Sequence, residues 1–153
     1  MGATLRVPPS RNRIAVPISA LDHVSLAVRD LERSIAYYRD VLGLHRITRP
    51  AFKSSGAWMA SGTLEIHLTI NPNGHLRPAP QIDTGDIHFA ARVSDFAAMV
   101  KHLESKGFSQ DLPDGNAKRL VFRLNGPAPY SQLYLLDPDN HLIEINDAAL
   151  KSA

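Results

Sequence analysis

The sequence repeats itself, and that repeat constrains the fold more than any single residue does. Sliding the chain by 65 positions lays His23 on His88, Val28 on Val93, Asp30 on Asp95 and Leu31 on Phe96. In each copy an alternating apolar segment (21–28, then 86–93) runs into an aspartate that can cap a helix. An amphipathic stretch follows in both. Leu31, Ile35, Tyr38 and Leu42 make the first stripe and Gly43 ends it; Phe96, Met99, Val100 and Leu103 make the second and Gly107 closes it.

Strands follow each helix pattern. They are predicted near 44–48, 56–60 and 63–70 in the first copy, and near 108–110, 120–124, 132–136 and 141–146 in the second. Ser61-Gly62 and Asp137-Pro138-Asp139-Asn140 supply the tight turns. A shift of 77 positions overlays Ile66 on Ile143, His67 on Glu144 and Leu68 on Ile145, the extra length being loop. The reading is an α+β fold of two tandem βαβββ modules with both helices on one face of the sheets. Module one covers about 20–71, a Pro-, Gly- and Asn-rich linker 72–85, and module two about 86–147, all within one domain over 20–149.

Strand parity turns this organisation toward chemistry, because residues two apart share a face. His23, Ser25 and Ala27 lie opposite the apolar Val24, Leu26 and Val28. Glu65, His67 and Thr69 lie opposite Ile66 and Leu68; His88, Ala90 and Arg92 lie opposite Phe89 and Ala91; Glu144 and Asn146 lie opposite Ile143 and Ile145. One donor per strand therefore falls on the face away from the helices. Three imidazoles and a carboxylate are a complete donor set for a divalent ion. Small neighbours (Ser25, Ala27, Ala90) leave room for a substrate.

Composition removes other classes. The 153 residues include no cysteine, which excludes disulfides and thiolate ligands and suits a cytoplasmic location. A net charge of +2, with Lys and Arg scattered, gives no nucleic-acid footprint. No apolar run approaches the roughly 18 residues that a membrane span needs. Residues 1–19 carry Arg6, Arg11 and Arg13, three prolines and no acidic residue, and read as a flexible basic arm that can lie across a partner subunit.

The segment Leu21-Asp22-His23-Val24-Ser25-Leu26-Ala27-Val28, continuing through Tyr37-Tyr38-Arg39-Asp40-Val41-Leu42-Gly43-Leu44, resembles the N-terminal signature of the vicinal oxygen chelate superfamily. Tyr134-Leu135-Leu136-Asp137-Pro138-Asp139-Asn140-His141-Leu142-Ile143-Glu144 resembles its C-terminal one. That superfamily holds glyoxalases, bleomycin-resistance proteins and extradiol dioxygenases. The resemblance implies a U-shaped, half-open barrel around one divalent metal (Zn, Ni, Mn or Fe). It also implies a homodimer and a small oxygenated substrate that becomes an enediolate or oxyanion. The ligand positions fall on His23, His67, His88 and Glu144. Glu144 doubles as base, and Tyr134 donates a hydrogen bond. His67 stands where the lyases carry Glu and the epimerases Gln. Ala27 stands where the lyases carry a glutathione-holding Arg, whereas Asn71 matches their glutathione-contacting Asn.

The resemblance leaves three functions open. The first is a glyoxalase-like lyase or isomerase, the second an Fe(II) extradiol dioxygenase using His23, His88 and Glu144, the third a non-catalytic drug-binding dimer. Trp58 and Phe122 are core residues or pocket walls; Arg92 either holds an anionic substrate group or pairs with Glu65. His45, His75, His102 and His141 read as surface or loop residues.

Overall fold

The computed structural model describes residues 20–74 and 76–149; the expected basic arm and His75 lie outside them. Module one runs β1 (Val24–Val28), α1 (Leu31–Asp40), β2 (His45–Ile47), β3 (Gly56–Ser61) and β4 (Leu64–Ile70). Module two repeats it as β5 (His88–Arg92), α2 (Phe96–Ser105), β6 (Val121–Arg123), β7 (Gln132–Leu136) and β8 (Leu142–Asn146). The strand orders are β1-β4-β3-β2 and β5-β8-β7-β6, so the two sheets are topological copies. In each, the first and last strands pair in parallel and the remaining pairs are antiparallel.

The helices start where the aspartates dictate. Asp30 accepts the Arg33 N–H at 3.0 Å and Asp95 that of Ala98 at 2.8 Å, each filling an otherwise unpaired donor of the first turn. α1 stops at Asp40, short of the expected Leu42, because the Leu44 N–H turns back to the Tyr38 carbonyl through Gly43 at φ 72°. Only glycine takes that left-handed angle freely. The strand expected at 108–110 reduces to one bridge, Ser109 with Arg119. Phe108 sinks into the core, and Pro113 and Gly115 in the following loop break any longer ladder.

Parity sorts the faces as the alternation predicts. Leu26, Val28, Ile66, Leu68, Ile35 and Tyr38 of module one join Leu103, Phe108, Leu133, Leu135, Ile143 and Ile145 of module two in a single buried cluster. The strand residues among them come from the faces opposite the donors, and the rest come from α1, α2 and the turn at Phe108. The modules thus share one core through their helix-bearing sides, and both donor faces are left looking outward from it.

A buried polar junction reinforces that contact. Asp137 accepts the Tyr38 hydroxyl (3.0 Å), the His141 Nδ1–H (2.9 Å) and the backbone N–H groups of Asp139 and His141. Asp139 accepts the Arg29 backbone N–H and guanidinium and the Ser34 hydroxyl. Tyr37 donates to the Leu136 carbonyl at 2.9 Å. Burial first, and Asp137 second, push both tyrosine hydroxyls well above their ordinary pKa, so they remain donors. The β7–β8 turn, with Asn140 in the left-handed region at φ 67°, is therefore also the plug that docks module two on α1. His141, expected on the surface, is instead held by Asp137 with its side chain only 14% exposed.

Candidate metal-binding faces

The donor face of module two is built around Glu144. Its strand, β8, lies between β5 and β7, and all five of its residues are buried. Register places Ala90 and Tyr134 on either side of Glu144. The Tyr134 hydroxyl donates to Oε2 at 2.8 Å and the Asn146 amide to Oε1 at 2.7 Å. Gln132 donates to the Tyr134 hydroxyl at 3.1 Å. Burial alone would raise the Glu144 carboxyl. The Gln132, Asn146 and Tyr134 donors and the nearby His88 outweigh it, and the net shift is downward. The same environment, desolvation first and Glu144 next, pushes the Tyr134 hydroxyl up to about 12. Glu144 is therefore an ionised acceptor and Tyr134 a protonated donor.

His88 completes that half. Its Nδ1 lies 2.7 Å from the Asp86 carbonyl, which only accepts, so Nδ1 is the donor there and the opposite nitrogen, Nε2, is turned toward the carboxylate. Nε2 faces Glu144 Oε2 at 3.4 Å. Anchoring one ring nitrogen on a backbone carbonyl is the usual second-nitrogen arrangement of metal-binding histidines.

Module one presents its donors differently. His23, just ahead of β1, donates from Nδ1 to Asp22 at 2.8 Å, leaving Nε2 free. His67 on β4 is bonded through Nε2 to Glu65 at 2.7 Å. Its ring stacks on Trp58 at 4.1 Å and 3°, and on His23 at 3.9 Å and 18°. Register explains the first stack, since Trp58 on β3 lies directly opposite His67.

One chain does not gather all four donors. Among the described residues, no group of three or more His, Cys, Asp or Glu is placed to hold an ion. The donors form two outward-facing pairs, His23 with His67 and His88 with Glu144, because the shared core is made from the opposite faces. Each half fits a divalent ion in donor chemistry: His23 has an unengaged Nε2, and the His88 Nε2 and the Glu144 carboxylate face each other at 3.4 Å. Neither half is complete.

The remaining expected site residues divide. Trp58 lies on the donor face through its stack on His67. Phe122, read as core or pocket wall, takes the first of these: it pairs with Leu133 and packs against the shared core. Asn71 spends its side-chain oxygen on the Asn73 N–H at 3.1 Å and so shapes the turn after β4. In that turn a Cβ on Gly74 would lie 2.4 Å from the Ala27 Cβ, so the backbone closes over Ala27 and leaves no room there for a long side chain. Arg92 is exposed on β5 opposite Asn146; Glu65 is taken by His67. Sequence reasoning missed Asp22 as the orienting partner of His23, although adjacency was a visible signal. It also missed the Asp137–Tyr38 junction, for which no local pattern gives a cue.

The chain belongs to the Glyoxalase/Bleomycin resistance protein/Dioxygenase superfamily, which it matches over residues 20–145. It is 30% identical to Glyoxylase I 4 of Arabidopsis thaliana, across 84% of this chain and 70% of that protein. It is 26% identical to the glutathione transferase FosA of Serratia marcescens, across 87% and 84%. A mutant of the fosfomycin resistance protein FosX from Listeria monocytogenes, solved with Mn(II) and a dihydroxypropylphosphonic acid, shares the fold. Its TM-score is 0.65 at 18% identity, covering 88% of this chain and 95% of that one. Among the described residues no helix is long and apolar enough to cross a membrane.

Proposed function

We propose that this chain is a metal-dependent, glyoxalase-like enzyme for a small oxygenated metabolite, working as a homodimer. Each site would take His23 from one subunit and His88, Glu144 and Tyr134 from a second copy. The observation that carries this reading is the outward division of the donors into two incomplete halves. The sheet edges support it. Among the described residues β1 and β5 each pair along one side only, and the flanking Leu21 and Ile87 are 81% and 87% exposed. Open edges beside exposed apolar side chains call for a covering partner. Setting the β1 edge of one copy beside the β5 edge of another would bring a His23 near a His88.

A divalent ion held there would act as a Lewis acid toward a substrate oxygen, lowering the cost of negative charge developing on it. The protein's own groups supply the rest. Tyr134, still protonated well above neutral pH, would turn its one O–H from Glu144 toward the developing oxyanion. Glu144 is the carboxylate on this face able to accept a substrate proton. The small Ser25 and Ala90 leave room for a substrate, and the Gly74 turn over Ala27 limits it to a compact one. The Mn(II) in the FosX structure is an ion of the class proposed here.

Complementation tests the shared site. Chains carrying His23→Ala and His88→Ala are each expected to purify with little metal. Co-expressed with different tags, the mixed dimer is expected to hold one ion, because one of its two sites keeps both histidines. A metal-free mixed dimer beside a fully loaded wild type would rule out the cross-subunit arrangement.

A further inference from the structure

His67 departs from the pattern of the other two imidazoles. His23 and His88 are both held through Nδ1, with Nε2 unengaged in His23 and turned toward Glu144 in His88; His67 is held through Nε2 on Glu65 instead. It is also the least exposed of the three side chains, at 13% against 38% for His23 and 26% for His88. Both of its ring faces are covered, one by Trp58 and the other by His23.

Stacking has a consequence for coordination. An imidazole nitrogen donates through a lone pair in the plane of its ring, at about 2.0–2.1 Å from a metal such as zinc. The His23 and His67 rings are nearly parallel, with centroids 3.9 Å apart. An ion in the plane of one ring is then displaced from the plane of the other by most of that spacing, farther than a coordinate bond reaches. An ion midway between them would meet both lone pairs far off axis. The stacked pair can therefore offer one nitrogen to an ion, not two. His23 is the ring able to offer it, because its Nε2 is unengaged and its side chain is partly open. His67 cannot tilt out of the stack without losing its near-coplanar contact with Trp58.

We propose that His67 is a positioning residue and not a ligand: clamped between Trp58 and His23 and oriented by Glu65, it fixes the plane of the His23 ring. This rests on the metal centre proposed above. His23 needs such a device, since among the described residues its polar anchor is Asp22, which is 95% exposed, so that the bond competes with water. Two imidazoles and one carboxylate then form the protein's share of the shell, and the position that His67 would have filled is left for substrate oxygens.

Counting imidazoles tests this without any turnover. In dimeric wild-type protein loaded with Cu(II), pulsed EPR is expected to show two coordinated imidazoles. His67→Phe, which keeps a flat ring in the stack but no donor, is expected to show the same two and to bind Cu(II) within about threefold of wild type. His67→Ala, which opens the stack, is expected to weaken binding roughly tenfold, the lower end of what losing an orienting partner costs. Three imidazoles in the wild type, falling to two in His67→Phe with a loss as large as in His23→Ala, would overturn the proposal and leave the centre standing. The wild-type count decides the matter even where a variant fails to fold. If neither His23→Ala nor His88→Ala changed the bound copper, the centre itself would fall, and this inference with it.

Discussion

The two donor faces are built by different forces. Module two pins Glu144 by hydrogen bonds on both oxygens, in a strand with no exposed residue, and anchors His88 on a backbone carbonyl. Module one holds its histidines by ring stacking, with carboxylate partners that reach water. Hydrogen bonds fix direction as well as place, so module two presents a preset half-shell. Stacking fixes a plane but lets the rings slide, so module one's half can adjust when a second copy arrives. The largest expected effect follows from the rigid half. His88→Ala should weaken metal binding beyond the roughly 10- to 100-fold that losing an orienting partner costs. Elemental analysis of dialysed protein checks it, and stoichiometric metal in the variant would erase the contrast between the halves.

Packing separates the modules in the opposite sense. α1 buries Ser34, Ile35 and Tyr38, whereas α2 buries Leu103 alone. β1 sets the buried Leu26 and Val28 against open neighbours, while β5 has no fully buried residue. An open groove of about 750 Å³ lies where Phe89, Val93 and Met99 face Leu64 and Ile66 of module one, so the α2 side of the shared core borders solvent. Ile35→Ala should therefore cost about 2–4 kcal/mol, within the usual range for a buried aliphatic. Met99→Ala should cost about 1 kcal/mol, because a half-exposed side chain loses less transfer energy and leaves less of a void. Urea unfolding at fixed protein concentration measures both, and equal costs would show that the α2 side is energetically as tight as the other.

The sequence carried most of the fold because its cues are local. Asp30 and Asp95 mark helix starts, Gly43 and Gly107 mark ends, and alternation in 24–28, 64–70 and 142–146 assigns each side chain to a face. The same alternation put His23, His67, His88 and Glu144 on the faces away from the helices. It could not say how two such modules pack, since that depends on contacts between residues about a hundred positions apart, such as Tyr38 with Asp137 and Arg29 with Asp139. Phe122 shows a narrower limit. In a strand as short as β6, Val121–Arg123, a one-residue uncertainty in register exchanges core for cavity. The role of His67 was hidden for a similar reason, as parity gives a face but not the ring that covers it.

The smallest expected effect gives the sharpest comparison, because here the two modules share one chemistry. Asp30 and Asp95 make the same cap with bonds of 3.0 and 2.8 Å, both exposed. Replacing either by alanine should remove about 1 kcal/mol of local helix stability. How that loss is read out depends on what each helix is attached to. α1 is tied into the core by Ile35 and Tyr38 and to the other module through Asp137 and Asp139, so it opens only when the whole domain does. Asp30→Ala should therefore lower global stability by the full amount. α2 has one buried anchor and can open by itself, so Asp95→Ala should appear mainly as faster amide exchange across 96–105, with a smaller change in the urea midpoint. Equal midpoint shifts without that local exchange would mean that α2 unfolds in concert with α1, and the difference in burial between the modules would then carry no difference in cooperativity.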